Sequence, residues 1–350
     1  MVSGENHSSN ANQWEISTNN ARQQNATTLR RRKKNYLFWV EYVSATWLDR
    51  FACPHCTGKL QQPSDHELLC RSCGAAFPMM GRVPIFHSPA KLASILGYQG
   101  KESDFCDSTH ARFGQDWQYE NQYRQQQDPW GYRTRAAEIL KYKRLANLCW
   151  ILSEGTPRRI VDVGCGLGFL ALDLAARGAR VTAIDLSPTA VLRGEAYRPP
   201  GSDEPVFAAA SIMAMPLADG SNDLIVIADG FWSWGFDIKT CRAILSSAAA
   251  ILDKGGKVLF MDYLNPCDQA AFLSLASSPE LQLTEIHPLY DRPWYAMELL
   301  LQPFRKWRWS RRILENLALA RILSVLGRFF GRFGTAHIVV VAEKVRPTNA

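Results

Sequence analysis

The sequence predicts an α/β protein: a doubly wound, mostly parallel sheet preceded by a small cysteine-bearing module. Three observations carry that expectation. From Ile160 onward, short apolar runs alternate with helix-patterned stretches. A glycine-rich turn joins the first of these runs to a helical pattern. Two Cys-x-x-Cys pairs stand together ahead of both, between Cys53 and Cys73.

The chain has 350 residues, enough for one large domain and a small one with ample core. Apolar residues make up 47% and charged residues 21%, an ordinary globular balance that excludes a fibrous or wholly disordered chain. The net charge of +7 hints at an anionic partner, although a solvated basic surface would show the same excess. The first 28 residues lack the apolar core of a secretory signal, and "AILSSAAAIL" is far too short to span a bilayer. A cytoplasmic, reducing location is therefore expected. There, an odd set of nine cysteines points to metal binding and buried thiols over disulfides.

In chain order, residues 1–38 are rich in Asn, Gln and Ser and carry the run Arg30 to Lys34, which predicts a disordered basic tail. That run is open to two readings, a solvated tail or a contact with nucleic acid or an acidic membrane surface. Residues 39–90 hold the cysteine module, closing in "FPMMGRVPIF", where Gly and Pro mark turns. Residues 91–154 form a helical lid or linker, with the helical apolar period clearest in "TRAAEILKYKRLANLCWIL". Residues 155–350 form the main domain. "RIVDVGC", "ARVTAIDL", "DLIVIAD", "KVLFMDY" and "AHIVVVAEK" read as buried strands, and "LALDLAARG" and "AILSSAAAIL" as helices between them. There is no internal repeat.

The glycine turn narrows the cofactor. Gly164, Gly166 and Gly168 give G-x-G-x-G, whereas a dinucleotide loop needs G-x-G-x-x-G, and the place of its third glycine is Phe169. Asp162 stands two residues before the first glycine. It would repel a pyrophosphate, the usual guest of a helix N-terminus, and suits a cationic ligand group. Asp185 ends the next strand, where a carboxylate can accept both hydroxyls of a ribose. A ligand with an ammonium-bearing tail and an adenosine ribose fits both acids: S-adenosylmethionine.

Four stretches in order, "VDVGCGLG", "AIDLSP", "MPLADGSNDLIVIAD" and "LDKGGKVLF", resemble the motifs of class I S-adenosylmethionine-dependent methyltransferases. The resemblance covers about residues 155–265 and resumes at "AHIVVVAEK". It implies a seven-stranded Rossmann-like sheet and residue roles within it. Gly164, Gly166 and Gly168 form the cofactor turn, with Gly164 and Gly166 admitting the cofactor to the backbone. Asp162 supports that turn and the amino end of the methionine moiety. Asp185 holds the ribose hydroxyls, Leu186 packs on adenine, and Ile212 offers its backbone N–H. One departure is Ser211, where the family usually has an Asp that accepts the adenine amino group. A hydroxyl can still accept a hydrogen bond, so altered adenine recognition is expected. Cys165 occupies a small-residue position rather than a reactive one.

The acceptor side is less defined. "GFWSWGFD" follows the strand "DLIVIAD" at the carboxyl end of the sheet, where open α/β proteins bind ligands. Phe231, Trp232 and Trp234 either wall an apolar acceptor or pack under a loop. Asp229 is the candidate for a polar contact or general base. Residues 128–144 are similar to a cofactor lid in some small-molecule and sugar N-methyltransferases, which nominates Tyr132 and Arg133. The Asn-Pro-Pro-Tyr signature of nucleobase amino methylation is absent from the loop.

Residues 291–335 insert a basic amphipathic stretch before the last strand. Arg292 to Arg332 contains nine Arg or Lys against Glu298 and Glu315, a local balance of +7. On a helical wheel, Ile322, Leu323, Leu326, Phe329, Phe330 and Phe333 share one face, while Arg321, Arg328 and Arg332 lie on another. Gly327 and Gly331 weaken it as a free-standing helix. Docking on the protein's own core, contact with an anionic membrane or lipidic substrate, and nucleic-acid binding all fit this composition.

Cys53, Cys56, Cys70 and Cys73 have the two-plus-two spacing of a closed tetrahedral zinc site. His55 and His66 are spare and are expected at the surface. The stretch is similar to a small zinc-ribbon family that includes the activator subunit of tRNA and release-factor methyltransferases, which implies a structural Zn2+ that braces the catalytic domain or helps admit substrate. The leading expectation is methyl transfer to an O, N or C nucleophile of a small, lipophilic metabolite. An RNA base methyltransferase is the alternative, with nucleic acid the less favoured partner, and a non-catalytic partner protein of the same fold is the third reading.

Overall fold

Runs of β-branched and aliphatic residues form the centre of the molecule. The computed structural model describes residues 47–88, 91–92, 111–153 and 158–345, so the tail expected over 1–38 lies outside the described residues. Nine elements build the first half of the main sheet and its approach: α1 (Ala111–Gln125), α2 (Ala136–Leu152), β5 (Arg159–Val163), α3 (Phe169–Ala176), β6 (Arg180–Asp185), α4 (Pro188–Tyr197), β7 (Val206–Ala209), β8 (Asn222–Ala228) and α5 (Ile238–Ile251). The chain continues through β9 (Leu252–Tyr263), α6 (Gln269–Leu273), β10 (Leu281–Pro288), α7 (Arg292–Leu301), α8 (Arg308–Leu314), α9 (Leu317–Arg328) and β11 (His337–Lys344). The order across this seven-stranded sheet is β10-β11-β9-β8-β5-β6-β7. Strands β7, β6, β5, β8 and β9 run parallel, and β11 is inserted antiparallel between β9 and β10.

Ile160, Val161 and Val163 of β5, Val181 and Ile184 of β6, and Ile225, Val226 and Ile227 of β8 are all essentially inaccessible. Burial on both faces is what a parallel sheet covered by helices demands. Phe207 of β7 shows how tightly the helices sit. A Cβ on Gly168 or Gly194 would come within 2.4 or 2.6 Å of its ring, so both glycines let α3 and α4 close on the strand. Ser187 starts α4 by accepting the N–H of Ala190 at 3.0 Å, with Pro188 at the first helical position. Asp237 caps α5 in the same way through Thr240.

Ahead of the sheet stand β1 (Leu60–Ser64), β2 (Glu67–Cys70), β3 (Ala76–Met80) and β4 (Val83–Pro84), a four-stranded antiparallel ribbon. The break in chain composition near residue 90 is not a break in packing. Val83 and Ile85 belong to the same buried cluster as Val191, Phe207 and Ala209, and the described residues from Arg50 onward form one unit. Ile85 pairs in parallel with Ala209, and the Phe86 N–H donates to the Ala209 carbonyl at 2.8 Å. The ribbon thereby covers β7, the strand that would otherwise be an open sheet edge.

The 291–335 insertion rests on α2. Ala136 and Ala137 share a buried cluster with Trp294, Leu314 and Ala320. Helix α9 makes this contact through Ala320, Ser324 and Gly327, all buried. A Cβ on Gly327 would lie 2.2 Å from the Tyr290 carbonyl oxygen. The apolar face read from the sequence mostly points the other way. Leu323 is half-buried against the cluster, whereas Ile322, Leu326, Phe329, Phe330 and Phe333 are exposed. The helix also ends at Arg328, and Phe333 lies in a short 3-10 turn.

Candidate active site

The parallel sheet reverses its strand order between β5 and β8, and a cavity of about 330 Å³ opens there at the carboxyl ends of the strands. That is the place where open α/β sheets bind ligands, and the volume lies within the usual range for small-molecule sites. Val163 and Gly164 reach it from β5, Ile184, Asp185 and Leu186 from β6, and Ala210, Ser211, Ile212 and Met213 from beyond β7. Gly230, Trp234 and Phe236 complete the far wall, and Lys91 contributes from before α1.

The three glycines of the turn have different duties. All have positive φ, which a side chain would strain, with Gly164 at 72°. Only Gly164 lines the cavity, with nothing nearer to a Cβ position than the Gly230 Cα at 3.9 Å. A Cβ on Gly166 would sit 2.5 Å from the Tyr123 hydroxyl, and Gly168 is reserved for Phe207. Asp185 holds the turn, accepting the Gly166 N–H and the Ser187 N–H, both at 2.8 Å. Burial pushes its carboxyl up to about 6 against the pull of those N–H groups. Asp162 lies beneath the turn. Burial pushes its carboxyl up to about 7 while the Ala171 N–H pulls down, and its Oδ2 has no hydrogen-bond partner. Ser211 uses its hydroxyl to accept the Met213 N–H at 3.2 Å, and Ile212 and Met213 follow it along the cavity wall.

A buried polar orphan at Asp162, a carboxylate at the end of β6 and a turn with one open glycine suit an aminoacyl nucleoside. Asp185 and Leu186 line the cavity from the end of β6. Gly164 lines it from the turn, whereas Asp162 is buried beneath the turn and is not part of the lining.

The loop after β8 is pinned by Asp262, the penultimate residue of β9. Its carboxylate accepts the N–H groups of Trp232 at 2.8 Å and Ser233 at 3.1 Å, with that of Phe231 at 3.3 Å. This corrects one expectation. Phe231 is fully buried among Phe260 and Phe272 and does not line the cavity. Trp232 packs edge-on to Phe272, and of the three aromatics only Trp234 reaches the cavity wall. Trp234 stacks on Tyr119 of α1 with ring centroids 4.0 Å apart and donates its indole N–H to the Asp229 carbonyl.

Asp229 adopts a positive φ of 53° and enters a buried ionic chain. Lys141 Nζ lies 2.5 Å from Asp229 Oδ2 and 2.7 Å from Glu138 Oε2. His337 Nε2 lies 3.3 Å from Asp229 Oδ1, and its Nδ1 is 2.6 Å from Asp291 Oδ2. Burial would raise the Asp229 carboxyl, but Lys141 and His337 outweigh it and hold the group well below the usual range. Burial likewise disfavours the His337 imidazolium, yet Asp291 and Asp229 bring it up to about 9. A carboxylate held this firmly ionised is a weak proton acceptor.

Tyr132 is packed edge-on against Tyr142 and borders Gly166, which places it over the turn. Arg133 is exposed, lies over the Phe169 and Tyr197 rings, and does not line the cavity. The element that fastens α1 across the site is Glu120, completely buried, which accepts from Ser187 Oγ at 2.6 Å and Thr189 Oγ1 at 2.5 Å. Nothing in the local sequence marks Glu120. Lys141 left a signal, since it interrupts the buried stripe Ala137, Leu145, Cys149 on α2. Asp262 left one as well, an acid near the end of a buried strand, comparable to Asp185.

At the ribbon, the thiol groups of Cys53, Cys56, Cys70 and Cys73 all lie within 4.8 Å of one another. The Cys53–Cys73 and Cys56–Cys70 sulfurs are 3.7 and 3.5 Å apart, close to the ~3.8 Å edge of a tetrahedron with ~2.3 Å metal–sulfur bonds. The His55 N–H points at Cys53 Sγ and the Ser72 N–H at Cys70 Sγ, both at 3.4 Å. The ribbon also touches the cavity wall from behind. His87 Nε2 is 2.8 Å from the carbonyl oxygen of Leu186.

Residues 161–260 match the family described as a methyltransferase domain. Among curated relatives, malonyl-[acyl-carrier protein] O-methyltransferase of Hahella chejuensis is 32% identical over 30% of this chain and 37% of its own. Demethylmenaquinone methyltransferase of Thermus thermophilus is 30% identical over 32% of this chain and 50% of its own. Ubiquinone biosynthesis O-methyltransferase of Xanthomonas oryzae is 27% identical over 39% of this chain and 67% of its own. The chain thus spans about a third to a half of the first two relatives. The sheet order places the cavity at the strand reversal, and residues 161–260, which match a methyltransferase domain, supply its glycine turn and its acid.

Proposed function

We propose that the protein transfers a methyl group to a nucleophilic atom, most readily an oxygen, of a small lipophilic metabolite. The observation that carries this reading is the cavity at the β5/β8 reversal, open at Gly164 and bounded by Asp185 at the end of β6. S-adenosylmethionine, when bound, supplies a methyl group on a sulfonium that is already a good leaving group. The residues of the chain then have to position the acceptor and exclude water. Asp185 accepts the ribose hydroxyls, Leu186 and Ile212 flank the adenine, and Gly164 allows close approach of the backbone. Asp162 supports the turn from its buried position beneath it. Trp234, held by its stacking on Tyr119, keeps the acceptor side apolar. Asp229 acts there as a fixed negative charge that orients the loop, because its ionic partners deny it the role of base. Relatives named for demethylmenaquinone, ubiquinone biosynthesis and malonyl-[acyl-carrier protein] support a lipophilic, oxygen-bearing acceptor.

The cysteine cluster, in the same reading, holds a structural Zn2+ with no open position for chemistry, in a reducing, cytoplasmic setting where thiolates stay free. Among the described residues no helix is long and apolar enough to cross a membrane. We further propose that the lipophilic acceptor is met by peripheral contact with a bilayer.

Incubating the protein with methyl-labelled S-adenosylmethionine and cell extract, then separating RNA from organic-soluble material, tests the proposal. Label should enter the organic pool and disappear with Asp185→Ala. Label confined to RNA would overturn the choice of acceptor.

A further inference from the structure

We infer that the 291–335 insertion is a docking surface for an anionic phospholipid bilayer. The inference deepens the peripheral contact named above but stands apart from the chemistry of the cavity.

The first observation is the inverted orientation of α9. A surface helix usually turns its large apolar residues inward. Here the inward stripe is Ala320, Ser324 and Gly327, and it is fixed by polar contacts. Ser324 Oγ donates to the Leu289 carbonyl at 2.9 Å and accepts from Arg144 at the same distance. Ile322, Val325 and Phe329 are left 56%, 53% and 83% exposed. Neighbouring helix α7 adds Leu299 and Leu300, both mostly exposed. Phe304, Trp307 and Trp309 form an exposed aromatic cluster with centroids 5.7 to 6.4 Å apart. Exposed apolar surface on this scale marks an interaction site.

The second observation is charge. Eight cations in the insertion are exposed, Arg321, Arg328 and Arg332 among them, while Glu315 is its one exposed acid. Glu298 is buried between Arg135 and Arg305. A second copy of this surface would meet it with like charge, which opposes self-association. Nucleic acid would gain from the basic and aromatic groups through stacking, but the aliphatic residues of α7 and α9 would gain nothing from bases. A bilayer with acidic head groups accommodates all three kinds of residue. Aliphatic groups enter the acyl boundary, Trp settles at head-group level, and the Arg flank faces the lipid phosphates.

Flotation of the full-length protein with vesicles decides the matter. The protein should float with phosphatidylcholine–phosphatidylglycerol vesicles at low salt and stay behind with phosphatidylcholine alone. Each Arg near an acidic surface is worth about fivefold in partitioning, so Arg321→Glu, Arg328→Glu and Arg332→Glu together should weaken binding by ~100-fold or more. Phe329→Ser with Phe330→Ser should also abolish flotation. Both variants should keep the wild-type unfolding temperature and affinity for S-adenosylmethionine, which separates a failure here from a failure of the methyl-transfer reading. Wild-type protein that does not float with anionic vesicles would overturn the inference. So would aromatic variants that float normally, or capture of single-stranded RNA in place of vesicles.

Discussion

Two regions are added to the seven-stranded sheet, the ribbon of β1–β4 ahead of it and the insertion before its last strand. In the ribbon, Leu68, Phe77, Val83 and Ile85 are all buried, and the last two lie in the core of the main domain. In α9 of the insertion, the small residues Ala320, Ser324 and Gly327 face inward while Ile322, Val325 and Phe329 face solvent. The difference lies in what each region completes. The ribbon closes the β7 edge and holds the Ala209 and Leu186 carbonyls behind the cavity. The insertion is anchored by Trp294 and Leu314, and the small inward residues of α9 leave that helix's large apolar residues free for a partner outside the chain.

The sharpest way to break this comparison is to remove the metal clip. Cys70→Ser should cost soluble, folded protein, because apparent zinc binding of about 10 kcal/mol or more is coupled to folding in small ribbons. A soluble, folded Cys70→Ser protein with normal zinc content would show that the four cysteines are not the metal site. Ile85→Ala comes next. It deletes buried atoms where ribbon and sheet share one core, and should lower stability by about 2–5 kcal/mol in urea unfolding.

The root of the insertion gives a pH-dependent contrast. His337 in the folded protein titrates at about 9, above its ordinary 6.5, because Asp291 and Asp229 favour the charged form over the opposition of burial. Its contribution is complete below about pH 6.5 and is lost as pH rises through about 9, a loss of roughly 1–3 kcal/mol. Urea midpoints measured across that window should fall in the wild type and stay nearly flat in His337→Gln. The smallest effect belongs to Phe329→Ala, which should change stability by no more than about 0.5 kcal/mol. A large loss there would show that the outer face is structural after all.

Much of the architecture was legible because burial writes simple patterns. β5, β6, β8, β9 and β11 are apolar runs too dense for anything but sheet interior. The edge strand β10 alternates half-buried and exposed residues after Leu281, and β7 has only four residues, so neither stood out as a strand. At the site, Gly164 and Asp185 belong to one local motif and could be read together. The chain of Glu138, Lys141, Asp229, Asp291 and His337 could not, since the sheet gathers it from positions 199 residues apart or less only after folding. Phe231 was left between two readings for a related reason. It follows an active loop in sequence, but Asp262 turns its backbone so that the ring enters the core beside Phe260. Helix α9 has a clear apolar face, yet its period alone does not say which side meets the protein.

The account stands on the cavity at Gly164 and Asp185, and calorimetric titration of the purified protein with S-adenosylmethionine tests it directly. Binding should saturate at one equivalent. Asp185→Ala should weaken it about 10- to 100-fold, the worth of hydrogen bonds to a charged group. Because burial raises the Asp185 carboxyl to about 6, wild-type affinity should also decline as pH falls below that value. Absence of binding to the folded wild-type protein, or equal affinity in Asp185→Ala, would contradict the account.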